Sequence, residues 1–238
     1  MTQACGSGRT DCGISLRNPE AESRKDKGVF ITFEGIDQCG KSTQAQRLVK
    51  TLIGSGYEVV LTREPGGTAL SERIRAIVLD GNTEGMTRWT ELLLMMASRA
   101  QHTEEVILPA LRQGKVVVCD RYSDSTVAYQ GGGRGLDLET IAVLNRIAAL
   151  GLAPDLTILL DVSVAEAARR RGHALIAQDR MEQETSDFHQ RVRTGYLELA
   201  RRDPGRFLVL DGTMPVAAIE EQIGKRVMEE LKQGTPTA

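Results

Sequence analysis

The 238-residue chain has little of what marks several large protein classes. Its four cysteines, Cys5, Cys12, Cys39 and Cys119, show neither zinc-ligand nor C-x-x-C spacing. That argues against a disulfide framework or a zinc module and for a reduced, cytoplasmic setting. No apolar run approaches the roughly 18 residues that span a bilayer, and the N-terminus has no apolar signal core. A net charge of −2 supplies no field for non-specific attraction to nucleic acid or membranes. No internal repeat or long linker divides the chain. His102 and His173 read as surface groups and His189 as a helical position. What remains is an ordinary globular composition, 41% hydrophobic and 26% charged, sufficient for one full core.

Residues 1–27 are rich in Gly, Ser, Arg, Asp and Glu with isolated apolar residues only, and are expected to form a disordered N-terminal extension before a domain at 28–234. From Gly28 onward, short strand-like runs alternate with helical patterns. The strands are expected at Val29–Phe33, Glu58–Thr62, Val116–Cys119, Leu156–Leu160 and Phe207–Leu210. Helical stripes appear at Leu70, Ile74, Ile77 and Val78, at Leu138, Ile141, Leu144 and Ile147, and from Val216 to Leu231. This is the pattern of an α/β fold: a five-stranded parallel sheet with helices on both faces, with ligands at the carboxyl ends of the strands.

Directly after the first strand stands Gly35-Ile-Asp-Gln-Cys-Gly-Lys-Ser42, which fits G-x-x-x-x-G-K-[ST]. Glycines let backbone N–H groups wrap phosphate oxygens, and the helix that follows offers its positive end to the anion. Ala45, Leu48, Val49 and Leu52 supply that helix with one apolar face, and Gly54-Ser-Gly56 stops it. The other strand ends carry Glu34 and Asp37, Arg63 and Glu64, Asp120 and Arg121, and Asp161. Two arginines facing a phosphate loop suggest a second phosphate-bearing ligand opposite the first.

In order along the chain, Phe33-Glu-Gly-Ile-Asp37, Thr62-Arg-Glu-Pro-Gly-Gly-Thr68, Asp120-Arg-Tyr122, Ser125-Thr-Val-Ala-Tyr-Gln-Gly-Gly-Gly133 and Asp179-Arg-Met-Glu182 closely resemble the thymidylate kinase family of the bacterial type. The similarity runs from about Gly28 to Leu231. It implies a three-layer P-loop kinase fold with a short lid at about 169–182. It also implies transfer of the γ-phosphoryl group of ATP to dTMP, giving dTDP and ADP, with Mg²⁺ as cofactor and a homodimer as the assembly. Under this resemblance Gly35, Ile36, Asp37, Gln38, Cys39, Gly40, Lys41, Ser42 and Thr43 cradle ATP. Lys41 reaches its β- and γ-phosphates, and Ser42, Asp37 and Glu182 hold the metal. Arg63 and Arg121 grip the acceptor phosphate, and Asp37 binds the sugar 3′-hydroxyl. Met95, Arg99, Thr126, Tyr129 and Gln130 surround the nucleoside. Met95 stands where the family often carries an aromatic residue.

Family members place a catalytic arginine either in the phosphate loop after its aspartate or in the lid. The loop position here is Gln38, so the lid must supply the cation, with Arg169, Arg171 and Arg180 as candidates. Cys39 reads as a small residue facing the nucleotide. The helix from Thr90 to Leu111, through Leu92, Leu93, Met96 and Val106, is expected to offer the dimer surface. Three other readings compete. A kinase for another nucleoside or nucleotide would differ in its acceptor pocket. A nucleotide-gated switch or partition ATPase would leave the paired arginines unexplained, and no Asn-Lys-x-Asp motif is present. An inactive binding module conflicts with an intact loop lysine and serine.

Overall fold

Five short apolar runs form the five strands, each within a residue of its expected bounds. The computed structural model describes residues 28–81, 85–172 and 179–234; the expected extension at 1–27 lies outside them. In chain order, β1 (Phe30–Glu34) leads to α1 (Lys41–Gly54), then β2 (Val59–Arg63), α2 (Ala69–Leu79) and α3 (Arg88–His102). A π-helical turn, Thr103–Ile107, carries α3 into α4 (Leu108–Arg112). After β3 (Val116–Asp120), α5 (Ser123–Thr126) runs into a second π-helical stretch, Val127–Gly133. There follow α6 (Leu138–Ala148), β4 (Leu156–Asp161), α7 (Val164–Arg171), α8 (Ser186–Arg202), β5 (Phe207–Asp211) and α9 (Val216–Gly234).

The strand order is β2-β3-β1-β4-β5, and every neighbouring pair is parallel. Successive side chains of a strand point to opposite faces. Ile31, Phe33, Val116, Val118 and Ile158 therefore join one core with Leu48 and Leu52 of α1, Val192 of α8, and Ile223 and Val227 of α9. Phe30, Val117 and Cys119 face the other way, against Ile107, Leu111 and Tyr122. A third cluster, Leu92, Met96, Ile141 and Ala148, joins α3 to α6. The result is the three-layer α/β arrangement expected.

Several helix faces are rotated relative to their stripes. In α2, Ile74 and Val78 are buried but Leu70 and Ile77 are exposed; Ser71 takes the inward place and donates to the Ser98 carbonyl at 2.9 Å. In α6, Ile141 is buried whereas Leu138 and Ile147 are exposed. The expected dimer stripe is also divided: Leu92 and Met96 belong to this chain's own core, and of the four residues only Leu93 is exposed, beside Trp89. Apolar spacing shows that a helix has a partner without showing which.

Three adjacent strands, β2, β3 and β1, end at one edge of the sheet, and the loops that follow them build the site. The Gly131-Gly-Gly133 run lets the second π-helical stretch approach its neighbours. A Cβ on Gly133 would lie 2.5 Å from the Phe188 ring of α8, and one on Gly131 would lie 2.5 Å from Leu138.

Candidate active site

The loop between β1 and α1 is shaped by two glycines. Gly35 has φ +136°, and a Cβ there would sit 2.5 Å from the Leu160 carbonyl oxygen. Gly40, at φ 99°, caps α1 without any side-chain bond, and the first turn carries no acidic residue. The leading amides of a 14-residue helix are thus left for an external anion, and the helix dipole favours one. Lys41 is buried, 3.7 Å from Asp37 Oδ1. Ser42 Oγ donates to Asp120 Oδ2, while the buried Asp120 Oδ1 has no partner among the described residues. Cys39 does not face the nucleotide cavity as expected: it is packed into the main core, and burial raises its thiol pKa. A small apolar-tolerant side chain between the loop and the sheet explains its size.

Arg121 follows β3 with φ 73°, an uncommon value for a side-chain-bearing residue and one concentrated at functional sites. The turn sends its guanidinium back over the phosphate loop. It donates to the Gly35 carbonyl at 3.1 Å, to the Ser125 and Tyr196 hydroxyls at 3.3 and 3.1 Å, and to Asp37 and the Tyr129 hydroxyl. Tyr129 in turn donates to Asp37 Oδ2 at 2.8 Å. Burial would raise the Asp37 carboxyl, but Arg121 and Lys41 outweigh it and hold it well below the usual carboxylate range. Beneath this cluster lies Glu34, fully buried, accepting from the Tyr122 amide, Ser125 and Tyr196. Burial, then the nearby Asp124, raises its pKa to about 7.

Two cavities meet at this point. One follows the phosphate loop and is lined by Gly40, Lys41, Ser42, Thr43, Arg63, Asp120, Arg170 and Glu182. The other lies against Met95, Arg99, Thr126, Tyr129 and Gln130, together with Met181 and Leu79. They share Asp37, Glu64, Arg75, Arg121 and Asp179. All five residues expected around the nucleoside are therefore brought together. Arg63 lines only the phosphate-loop cavity, half-exposed and paired with Glu72 at 2.9 Å, so it stands at the rim rather than beside Arg99. Arg99 is buried and donates to Glu64, Thr126 and Asn145 at 2.8, 2.9 and 2.6 Å.

His102, expected at the surface, is fully buried beneath the same wall, with Nδ1 3.1 Å from Glu64 and Nε2 2.6 Å from the Thr62 hydroxyl. Because a carboxylate only accepts, Nδ1–H donates to Glu64, which in the neutral ring leaves Nε2 to accept from the Thr62 hydroxyl. A polar residue at the last turn of an amphipathic helix gives no sequence signal of such burial.

The lid arginines divide differently from expectation. Arg169 projects outward, mostly exposed, and pairs with Glu166. Arg171 donates to the Glu182 carbonyl, its buried Nε having no partner among the described residues, in a small cavity behind Asp37. Arg180 binds Glu91 and the Val78 carbonyl. Arg170, passed over in the sequence, lies against the phosphate loop, donating to the Gln38 and Cys39 carbonyls at 3.3 Å each and to the Gly212 carbonyl at 2.8 Å. Residues 173–178 of the expected lid lie outside the described residues. Arg75 and Asp179 were also missed. Arg75 sits one position past the inward Ile74 on α2, where a stripe analysis records only apolar residues. Glu182 accepts from the Gln38 amide at 3.4 Å.

A loop built for polyphosphate and a second, mixed polar and apolar cavity that meets it at Arg75 and Arg121 suit transfer between two nucleotides, not switching on one. The class is that of P-loop nucleoside-monophosphate kinases. Comparison with known proteins narrows it. The family model "Thymidylate kinase" matches residues 33–223. The thymidylate kinase of Geotalea uraniireducens (strain Rf4) is 48% identical over 212 residues, 87% of this chain and 100% of the relative. That of Geotalea daltonii is 53% identical over 192 residues, 78% of this chain and 89% of the relative. The crystal structure of thymidylate kinase from Ehrlichia chaffeensis superposes with a TM-score of 0.69 at 35% identity, covering 85% of this chain and 99% of that one. The chain belongs to the thymidylate kinase family.

Proposed function

We propose that the two cavities receive ATP and dTMP with their phosphates facing one another across Arg121. As a member of its family the chain phosphorylates dTMP to dTDP, a step in dTTP synthesis, and the family uses ATP. The observation that carries the site assignment is the junction: Asp37 and Arg121 belong to both cavities. The phosphate-loop amides and Lys41 hold the donor's phosphates, and Arg121, with Arg75 and the rim residue Arg63, holds the acceptor's.

The acceptor needs no strong base, because a phosphate monoester with a second pKa of about 6 is largely dianionic at neutral pH. An acceptor phosphate oxygen forms a bond to the γ-phosphorus as the bond to the β-phosphate oxygen breaks, and ADP leaves. The protein's work is alignment of two repelling anions and neutralisation of the charge that develops. Arg170, held by the Gln38 and Cys39 carbonyls, fixes the loop and is the cation next to the donor phosphates among the described lid residues.

Mg²⁺ suits the donor set at Ser42 and Asp120. The unpartnered Asp120 Oδ1 is a hard oxygen at the phosphate-loop cavity, and Mg²⁺ is commonly held by one or two carboxylates with substrate phosphates. Asp37, expected as a ligand, is already engaged by Arg121, Lys41 and Tyr129; Glu182 lines the cavity and remains a second candidate. When bound, the ion neutralises phosphate charge.

We also infer a homodimer through the outward sides of α3 and α6, where Trp89, Leu93, Val143 and Ile147 are exposed. A cytoplasmic setting is supported by two buried free cysteines, Cys39 and Cys119. Among the described residues no helix is long and apolar enough to cross a membrane.

The test is ADP release from ATP·Mg²⁺ with dTMP, dUMP, UMP, CMP, GMP and thymidine as separate acceptors. Activity is expected with dTMP above all others; equal or greater activity with CMP or GMP would overturn the acceptor assignment.

A further inference from the structure

Glu91 stands in the first turn of α3 and is 1% exposed, yet it touches neither cavity lining. Its carboxylate collects donors from three directions: Gln130 Nε2 at 2.9 Å, Arg134 at 2.9 to 3.2 Å through two nitrogens, and Arg180 from the lid. Burial alone would raise its pKa, but the bonds from Arg134 and Gln130 outweigh burial and hold it low.

An ionised carboxylate can only accept hydrogen bonds. The amide end that faces Glu91 is therefore the NH₂ of Gln130, and the carbonyl end is left for the cavity that Gln130 lines with Arg99 and Thr126. Arg99 offers only N–H donors. The wall thus presents a donor and an acceptor in fixed order. A uracil-type edge, with N3–H and a C4 carbonyl, complements that order. A cytosine-type edge, with an N3 acceptor and a C4 amine, opposes it at both positions and would leave buried polar groups unpaired.

We infer that Glu91 is a positioning residue that fixes the orientation of the Gln130 amide, and through it sets the preference for thymine or uracil over cytosine in the acceptor. The inference rests on the reading of this cavity as the acceptor's base pocket. No direct contact between Glu91 and the acceptor is involved.

The experiment compares kcat/KM for dTMP and dCMP in the wild type, Glu91→Gln, Gln130→Met and the double variant, each checked by thermal unfolding. A glutamine at 91 can donate as well as accept, so the Gln130 amide is free to turn. The dTMP-to-dCMP ratio is expected to fall about tenfold or more in Glu91→Gln. Adding Glu91→Gln to the Gln130→Met background should leave the ratio unchanged. A ratio unchanged in folded Glu91→Gln would overturn the inference, as would an equal fall in both backgrounds. If Glu91→Gln does not fold, Gln130→Met decides alone: its ratio must fall, and an unchanged ratio overturns the inference. A wild type that prefers dCMP would remove the base-pocket reading itself, and is distinguished because it appears before any substitution.

Discussion

Glu34 gives a prediction whose sign and size follow from its surroundings. Its carboxyl has a pKa of about 7 in the fold against 4.5 for the ordinary group, because it is fully buried and Asp124 lies nearby. Between those values the folded chain holds a proton that the unfolded chain has released, so stability falls as pH rises. The contribution is fully present below about pH 4.5 and is lost as pH climbs through about 7, a difference of about 3 kcal/mol. Glu34→Gln stays neutral throughout and can still accept from the Tyr122 amide, so the difference between variant and wild type isolates this carboxyl. For a chain of this length, where 1 kcal/mol moves Tm by about 2 to 4 °C, the variant's Tm minus that of the wild type should rise by about 6 to 12 °C between pH 4.5 and pH 8. Thermal melts followed by circular dichroism across that range measure it. A difference that stays flat, or shrinks as pH rises, would refute the reasoning.

Three further outcomes follow from the same geometry. Arg121→Ala should lower kcat/KM for dTMP by about 10² to 10³-fold, while Arg63→Ala, half-exposed and paired with Glu72, should cost under about tenfold; steady-state kinetics with each variant checks both. Arg169→Ala should leave turnover within about twofold of wild type because it is mostly exposed and, among the described residues, pairs with Glu166, whereas Arg170→Ala should lower kcat by about 10²-fold through the loosened phosphate loop, in a single-turnover assay. Asp120→Asn should raise the Mg²⁺ concentration needed for half-maximal activity by about 10-fold or more, read by metal titration at saturating ATP.

Much of this was legible in the residues. The phosphate loop declared itself because its chemistry is local: two glycines, a lysine and a serine in one eight-residue string after a strand. The parallel sheet followed from alternation of short apolar runs with helical stripes, since both periods are properties of contiguous sequence. What failed to show depends on tertiary neighbours. Nothing near His102 in the chain reveals Glu64 and Thr62 closing over it, and Arg169, Arg170 and Arg171 are equivalent as sequence although only Arg170 turns onto the loop. Leu92 and Leu93 differ by one helical step, and that step separates the core from the surface. Glu91 carries no motif at all; its role appears only once Gln130, Arg134 and Arg180 arrive from distant parts of the chain.

The Arg121 guanidinium, which lines both cavities, has a thermodynamic corollary. In the proposed arrangement, whichever nucleotide arrives first neutralises Arg121 and reorients the field that the second meets, so the two ligands are expected to be energetically coupled. Linkage then requires reciprocity: any factor by which one tightens or weakens the other must operate equally in the opposite direction, and random-order binding would display it as an interaction constant different from one.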